Sequence, residues 1–491
     1  MSETVVVGGR AVAGGIGSRG VVAPNRKRIA TNVLSLSVTY LLGFLATIGI
    51  SIYVRRILGP EAVGQVNWVQ AALGFGAILI NPGLTTVGQR ELARDRKADL
   101  PGLIVTLQTL LAALAVAVCL VCAALGALGR VRSLLLAIQA VGLLFVAWNL
   151  GWVLQAHERM VAPSFANLAF NALQLPLFLP FVHGPADVYW YAGLGLSYPG
   201  LMALFTVWYV ARHRLVAAWR IGLAGARALL AEAWPLALAQ GAGLVFLYAD
   251  TLILGVTDGD EAVGQYSTAY RLMMVSAFVT ASLWNAYFPV LARSREAPAQ
   301  AVRLSREYLG LLAWSGFPIA ALGWAVGRHV VAMMYGPAFA EAGRLFEWLC
   351  LAVALQFVNH GLSQILVPWG YGRIQFRIVA WGAVANIAAN LAIIPLWGAW
   401  GAVATTIGSE ALVLVLGLSA RRRHDIFRHP VLPLIVPPLL CSAAVALAIA
   451  ALPETWDARW WAALAAGTAV LALCLLWFER RVIGTLLHRG A

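Results

Sequence analysis

The sequence predicts an all-α polytopic membrane protein of about fourteen transmembrane helices: two parallel-repeat six-helix bundles plus two C-terminal helices. Composition, charge spacing and an internal echo predict it. Of 491 residues, 61% are hydrophobic and 11% charged, where a soluble domain carries about 25% charged residues. The charges cluster in short patches between uncharged runs of roughly twenty residues, the length that spans a bilayer as helix. The echo is "EAVGQ", at Glu61–Gln65 and again at Glu261–Gln265.

Spans 1 to 14 are expected near 32–53, 64–86, 102–128, 133–153, 162–182, 188–210, 233–255, 264–290, 308–327, 342–367, 374–394, 399–420, 431–452 and 459–478. Several hold Pro or Gly, which membrane helices tolerate because neighbours satisfy the freed backbone groups. Residues 1–28 are polar, Gly-rich and basic and read as an unstructured tail. The apolar run after them is too long for the h-region of a signal peptide and is expected to remain as span 1.

All but eight of the 35 Lys and Arg residues fall in the tail, in the loops at 87–101, 154–161, 211–232, 291–307, 368–377 and 421–430, and at the C-terminus. The eight are Arg55, Arg56, Arg130, Arg132, Arg271, Arg328, Arg344 and Arg459. The positive-inside rule then predicts the cell (inner) membrane with both termini cytoplasmic. It also accounts for the net charge of +14 without nucleic acid, because basic loops meet anionic lipid headgroups as partners. The five cysteines all lie in expected spans. "CLVC" at 119–122 has metal-site spacing but no nearby His or carboxylate, so apolar packing is expected, with no metal and no cofactor.

A second echo supports the first. "NLAFNALQLP" in span 5 and "NIAANLAIIP" in span 11 share Asn-x-x-x-Asn followed by Pro: Asn167, Asn171, Pro176 and Asn386, Asn390, Pro395. Both echoes have a period of six spans, which predicts a first bundle over 29–220 and a second over 221–420. Residues 421–491 would add two spans and a short tail. An even repeat gives a pseudo-twofold axis along the membrane normal, the arrangement of transporters that rock two bundles about a central cleft.

The hairpin of spans 7 and 8, "ADTLILGVTDGDEAVGQYSTAYR", resembles the polysaccharide-exporter branch of the multidrug/oligosaccharidyl-lipid/polysaccharide flippase superfamily. The matching positions are Asp250, Gly255, Gly264, Tyr266, Ala269 and Arg271. Similar too are "ILGPEAVGQ", "QRELA" at 89–93, "YGPAF" at 335–339 and "IPLWGAWGAVATT" at 394–406. The first copy departs from the second in having Val66 where Tyr266 stands. The resemblance covers about residues 30–420. It implies a flippase moving undecaprenyl-pyrophosphate-linked oligosaccharide between leaflets, for O-antigen, capsule or exopolysaccharide, beside polysaccharide polymerase and co-polymerase proteins.

Charges inside a bilayer point to function. Asp250 and Arg271 fall at comparable depth, so they either pair to lock the hairpin or leave Arg271 in the cleft facing a pyrophosphate, which a guanidinium fork binds well. Glu410, mid-span 12, must pair, face water or take up a proton, and is a candidate for ion coupling or sugar binding. His360 and Gln364 in span 10, with Asn359, suit sugar hydroxyls or helix contacts, as do Asn386 and Asn390. Arg344 and Glu347 are expected to pair locally. Arg90, with Arg94, Arg96 and Lys97, borders the inner mouth. Trp397, Trp400, Trp456, Trp460 and Trp461 read as an interfacial belt.

Other readings are a peptidoglycan-precursor flippase, a multidrug/cation antiporter, or a membrane glycan polymerase or ligase. The antiporter would need buried carboxylates in spans 1–6, where none is found. The polymerase or ligase would need a sizeable outer loop with a catalytic set, and the outer connections are mostly under about fifteen residues. The expectation is therefore not an enzyme.

Overall fold

The protein is described here by a computed structural model covering residues 26–452 except 95–99, 127, 217–218, 220–221, 295–296 and 424–429, with a few positions between 461 and 469. Span 14, residues 1–25 of the tail, Arg96, Lys97, Trp456, Trp460 and Cys474 lie wholly or mainly outside the described residues.

Helix occupies each of the first thirteen expected spans. Among the described residues, nine helical runs are long and apolar enough to cross a membrane. One of these, Gly372–Arg423, holds spans 11 and 12 on either side of a break at Gly398. The helices of spans 5 and 7, Val161–Phe178 and Ala226–Thr257, are not among the nine. Each carries polar side chains, Asn167 and Asn171 in one and Glu232 and Asp250 in the other. Large apolar side chains such as Leu114, Leu204 and Leu396 are exposed on the flanks, a surface suited to hydrocarbon rather than water.

The repeat is visible in backbone conformation. Spans 1 and 2 form one run, Arg26–Ile80, broken at Gly59 with φ 75° and ψ 173°. Spans 7 and 8 meet at Gly259, with φ 87° and ψ −172°. That region is open essentially to glycine alone, so the same residue turns both hairpins just ahead of "EAVGQ".

It is visible again in the asparagines. Asn171 Nδ2 donates to Asn167 Oδ1 at 2.9 Å, and Asn167 Nδ2 donates to the Tyr198 hydroxyl of span 6 at 2.8 Å. In the second copy Asn390 Nδ2 donates to Asn386 Oδ1 at 3.0 Å, and Asn386 Nδ2 donates to Ser409 Oγ of span 12 at 3.2 Å. One turn of helix brings the i and i+4 amides together, and the leading one clasps the next span.

The two bundles join along spans 2, 7 and 8. The largest core runs through the end of the molecule that carries the two "EAVGQ" segments, combining Val54, Leu58 and Val66 with Val263, Ala269 and Leu345. Trp68 of span 2 lies against Gly255, where an added Cβ would be 2.1 Å from the indole, and donates Nε1–H to the Leu252 carbonyl at 3.1 Å. Arg132 of span 4 bonds Asp260 Oδ1 and the Gly255 carbonyl, both at 2.7 Å, and stands over the Trp68 ring. At the opposite, Arg-rich end, Leu229 and Ala233 at the start of span 7 enter a core with Leu84, Ile104 and Trp152 of the first bundle.

Candidate functional site

Spans 2, 7 and 8 enclose a cavity of about 240 Å³ at the seam, lined among others by Asn67, Gln70, Tyr248, Thr251, Ser267 and Arg271. Asn67 Nδ2 donates to Ser267 Oγ at 2.7 Å, binding the two copies at matching positions. Arg271 is exposed and its side chain helps line the space. Behind it Arg55 is buried, 4% exposed. Arg55 donates from Nη1 to Ser51 Oγ at 2.6 Å and from Nε to Thr268 Oγ1 at 3.0 Å, with its guanidinium 5.6 Å from the Tyr335 ring centre. Sequence reasoning counted Arg55 only as one of the charges outside the basic loops. The signal that would have found it is an arginine inside a helix four residues ahead of its terminating glycine.

Asp250 and Arg271 are not brought together as an ion pair. The Asp250 carboxylate, 4% exposed, accepts the Tyr266 hydroxyl through Oδ2 and the Thr251 backbone N–H through Oδ1. The Tyr266 hydroxyl also lies 3.3 Å from Thr406 Oγ1, so spans 7, 8 and 12 share one buried polar junction. Helical geometry explains the outcome. Tyr266 and Arg271 are five residues apart, about 140° around a helix at 100° per residue. Facing Tyr266 toward Asp250 therefore turns Arg271 away from it, toward the first bundle.

Three candidates meet in a second cavity, of about 300 Å³, inside the second bundle. His360, Gln364 and Glu410 line it together with Gln356, Asn359 and Gln375. Glu410 is 7% exposed. Asn359 Nδ2 donates to its Oε2 at 2.8 Å and to its backbone carbonyl at 2.9 Å, fastening span 10 to span 12. Buried His360 Nδ1 and Gln375 Oε1 have no protein partner. The site thus has one carboxylate oriented by the side-chain amides of Asn359 and Gln356, beside an imidazole nitrogen and an amide oxygen that are left without partners.

Asn386 and Asn390 line none of these spaces. They are 4% and 1% exposed, and their polar atoms are used by each other, Ser409 and Thr405. In this structure these two candidates for substrate contact serve as clasps between spans 11 and 12.

Arg90 is half-exposed at the Arg-rich end and bonds Glu232 of span 7 and Glu91. It therefore bridges the bundles at that mouth. Arg344 and Glu347 do not pair with each other: Arg344 lies 3.4 Å from Glu341, and Arg328 takes Glu347 at 2.8 Å. Cys119 and Cys122 are free and half-buried among core side chains. Among the described residues no three His, Cys, Asp or Glu side chains gather as a metal site.

Residues 29–295 match the family described as polysaccharide biosynthesis protein. A Shigella dysenteriae protein named for O-antigen transport is 25% identical over 397 residues, 79% of this chain and 99% of its own. An EPS I polysaccharide export inner membrane protein of Ralstonia nicotianae is 26% identical over 174 residues, 35% of this chain and 40% of its own. Among solved structures, the lipid II flippase MurJ in an inward closed conformation superposes with a TM-score of 0.73 at 12% identity, covering 91% of this chain and 99% of that one. An inward-facing multidrug resistance MATE family transporter of the MOP superfamily gives 0.62 at 15% identity, covering 81% and 98%. These two likenesses are of fold.

Proposed function

The chain belongs to the polysaccharide biosynthesis protein family, and on that premise we propose that it is a flippase for undecaprenyl-pyrophosphate-linked oligosaccharide. It would carry this lipid from the inner to the outer leaflet of the cell membrane, for surface polysaccharide, by alternating access between its two bundles. The "EAVGQ" end is the outer one in this reading, and the Arg-rich end faces the cytoplasm.

The observation that carries the proposal is Arg271, a guanidinium lining the seam between two apolar bundles, with Arg55 buried behind it. A cation lining a cavity inside a membrane protein favours an anion there, and a planar guanidinium suits a phosphate oxygen pair. Among the described residues of spans 1–6 no carboxylate is buried, which speaks against an organic-cation substrate in the first bundle. Glu410 is the proposed coupling group: a carboxylate that changes protonation or cation occupancy moves charge through the membrane field, worth about 2.3 kcal/mol per 100 mV.

The test is reconstitution in liposomes with the lipid-linked oligosaccharide on one side, scoring its appearance on the other. The intact protein is expected to accelerate transfer and Arg271→Ala to abolish it at normal protein level. Equal transfer with and without protein would reject the reading.

A further inference from the structure

The first bundle holds its own cavity, of about 370 Å³, built mainly from spans 2, 4, 5 and 6, with Ile50 of span 1 at its edge. Its polar lining is Gln70, Gln139, Gln174 and Tyr191, and none of its lining residues is charged. The second-bundle cavity is built from spans 8, 10, 11 and 12, the corresponding set six spans on, and there the polar residues include His360 and Glu410. Two spaces at equivalent places in the repeat thus have different chemistry, one ionisable and one made of amides and a phenol.

We propose that the first-bundle cavity is the sugar subsite, receiving the monosaccharide that is joined directly to the pyrophosphate. The proposal rests on the flippase reading above and adds where the glycan sits. Gln70 lines both this cavity and the seam cavity of Arg271, so the two spaces are neighbours, as a phosphate and the sugar bonded to it must be. A primary amide presents two donors and an acceptor on one side chain, which matches hydroxyl groups that both donate and accept. Gln139 is 8% exposed, and its Oε1 is buried without a partner. An acceptor left that way is costly, and a ligand hydroxyl pointing at it removes the cost. The remaining walls are apolar, Leu73, Leu143 and Val146 among them, and can cover the C–H faces of a pyranose ring. The volume is at the low end of the roughly 300–1,000 Å³ of ligand clefts, room for one sugar rather than a chain. An alkyl tail would leave the three amides dry, and an ionic headgroup would find no counter-charge.

The experiment uses the full-length protein in lipid nanodiscs. The probes are bare undecaprenyl pyrophosphate and the same lipid carrying one glucose, galactose or N-acetylglucosamine, with affinities read by native mass spectrometry. At least one glycosylated probe is expected to bind about tenfold tighter than the bare lipid. Gln139→Leu combined with Gln174→Leu should bring it to the affinity of the bare lipid. Gly195 lines the cavity and has open space where a Cβ would stand, so Gly195→Leu, which fills the space without touching an amide, should do the same. Wild-type protein that binds bare and glycosylated lipids alike, or variants that keep the preference, would overturn the subsite and leave the flippase reading standing. Failure of every probe to bind, bare lipid included, would overturn the flippase reading and the subsite with it.

Discussion

Gly64 and Gly264 face each other across the seam, each against the start of the other's helix. A Cβ on Gly64 would lie 1.7 Å from the Asp260 carbonyl oxygen, and one on Gly264 would lie 1.8 Å from that of Pro60. Backbone fills the place of a side chain, so no rotamer change can make room. The seam at the "EAVGQ" end therefore closes only with glycine at both positions.

This closure can be measured. Cysteines replacing Asn67 and Ser267, whose side chains touch, should crosslink under oxidant in a cysteine-free background, and the crosslink should stop transport. Adding Gly264→Leu should hold the seam apart and prevent crosslinking. Overpacking of this kind typically costs about 1–3 kcal/mol, enough to shift a two-state balance by roughly fivefold to a hundredfold. Undiminished crosslinking in the leucine variant would refute the closure.

Sidedness follows from the repeat. Cysteines introduced at Glu61 and Glu261 should both react with an impermeant thiol reagent from outside the cell, and one at Gln300 should react only after permeabilisation. Labelling of positions 61 and 261 from opposite sides would break the parallel arrangement.

Asp250 and Tyr266 should behave as a unit, with Arg271 separate. Tyr266→Phe removes the donor to a buried carboxylate and Asp250→Ala removes the acceptor, so each should lower thermal stability in detergent, by about 1–3 kcal/mol. The double variant should cost little more than the worse single. Arg271→Ala should leave stability alone and cut surface polysaccharide. Exchanging the residues, Asp250→Arg with Arg271→Asp, should rescue neither property; rescue would mean that the two charges do pair during the cycle.

For Glu410 the informative change is Glu410→Gln, which keeps the shape and the Asn359 contact but loses the charge. The protein should fold and reach the membrane while flipping falls. Wild-type flipping should vary with pH and the residual activity of the variant should not. Full activity across the pH range would leave Glu410 a link between spans 10 and 12 and nothing more.

Much of this architecture could be read in the residues. Uncharged twenty-residue runs specify membrane helices through transfer energy alone, whereas the turns at Gly59 and Gly259 show themselves only in the backbone conformation of the fold. The asparagine spacing announced the repeat, though not its purpose, since an amide in an apolar helix reads equally as a ligand group or a helix clasp. The partner of Asp250 was hidden for a geometric reason. Depth along the membrane can be estimated from helical rise, but which way Tyr266 and Arg271 point depends on the rotation of span 8, fixed by packing against spans 2, 10 and 12. The first-bundle cavity was hidden similarly: Gln70, Gln139 and Gln174 lie on three different spans and converge only in the fold.

The reciprocity at the seam bears on ancestry. Pro60 meets Gly264 and Asp260 meets Gly64, the crossed pattern of an isologous dimer, in which residue i touches j of the partner and j touches i. A single six-helix chain binding a second copy of itself through this surface would make the same contacts. Within one polypeptide the halves are no longer obliged to stay identical. Val66 is a buried apolar residue, while its counterpart Tyr266 supplies the hydroxyl that Asp250 accepts. The single chain thus has the interface of a dimer while its two sides divide the labour, which a pair of identical subunits cannot do.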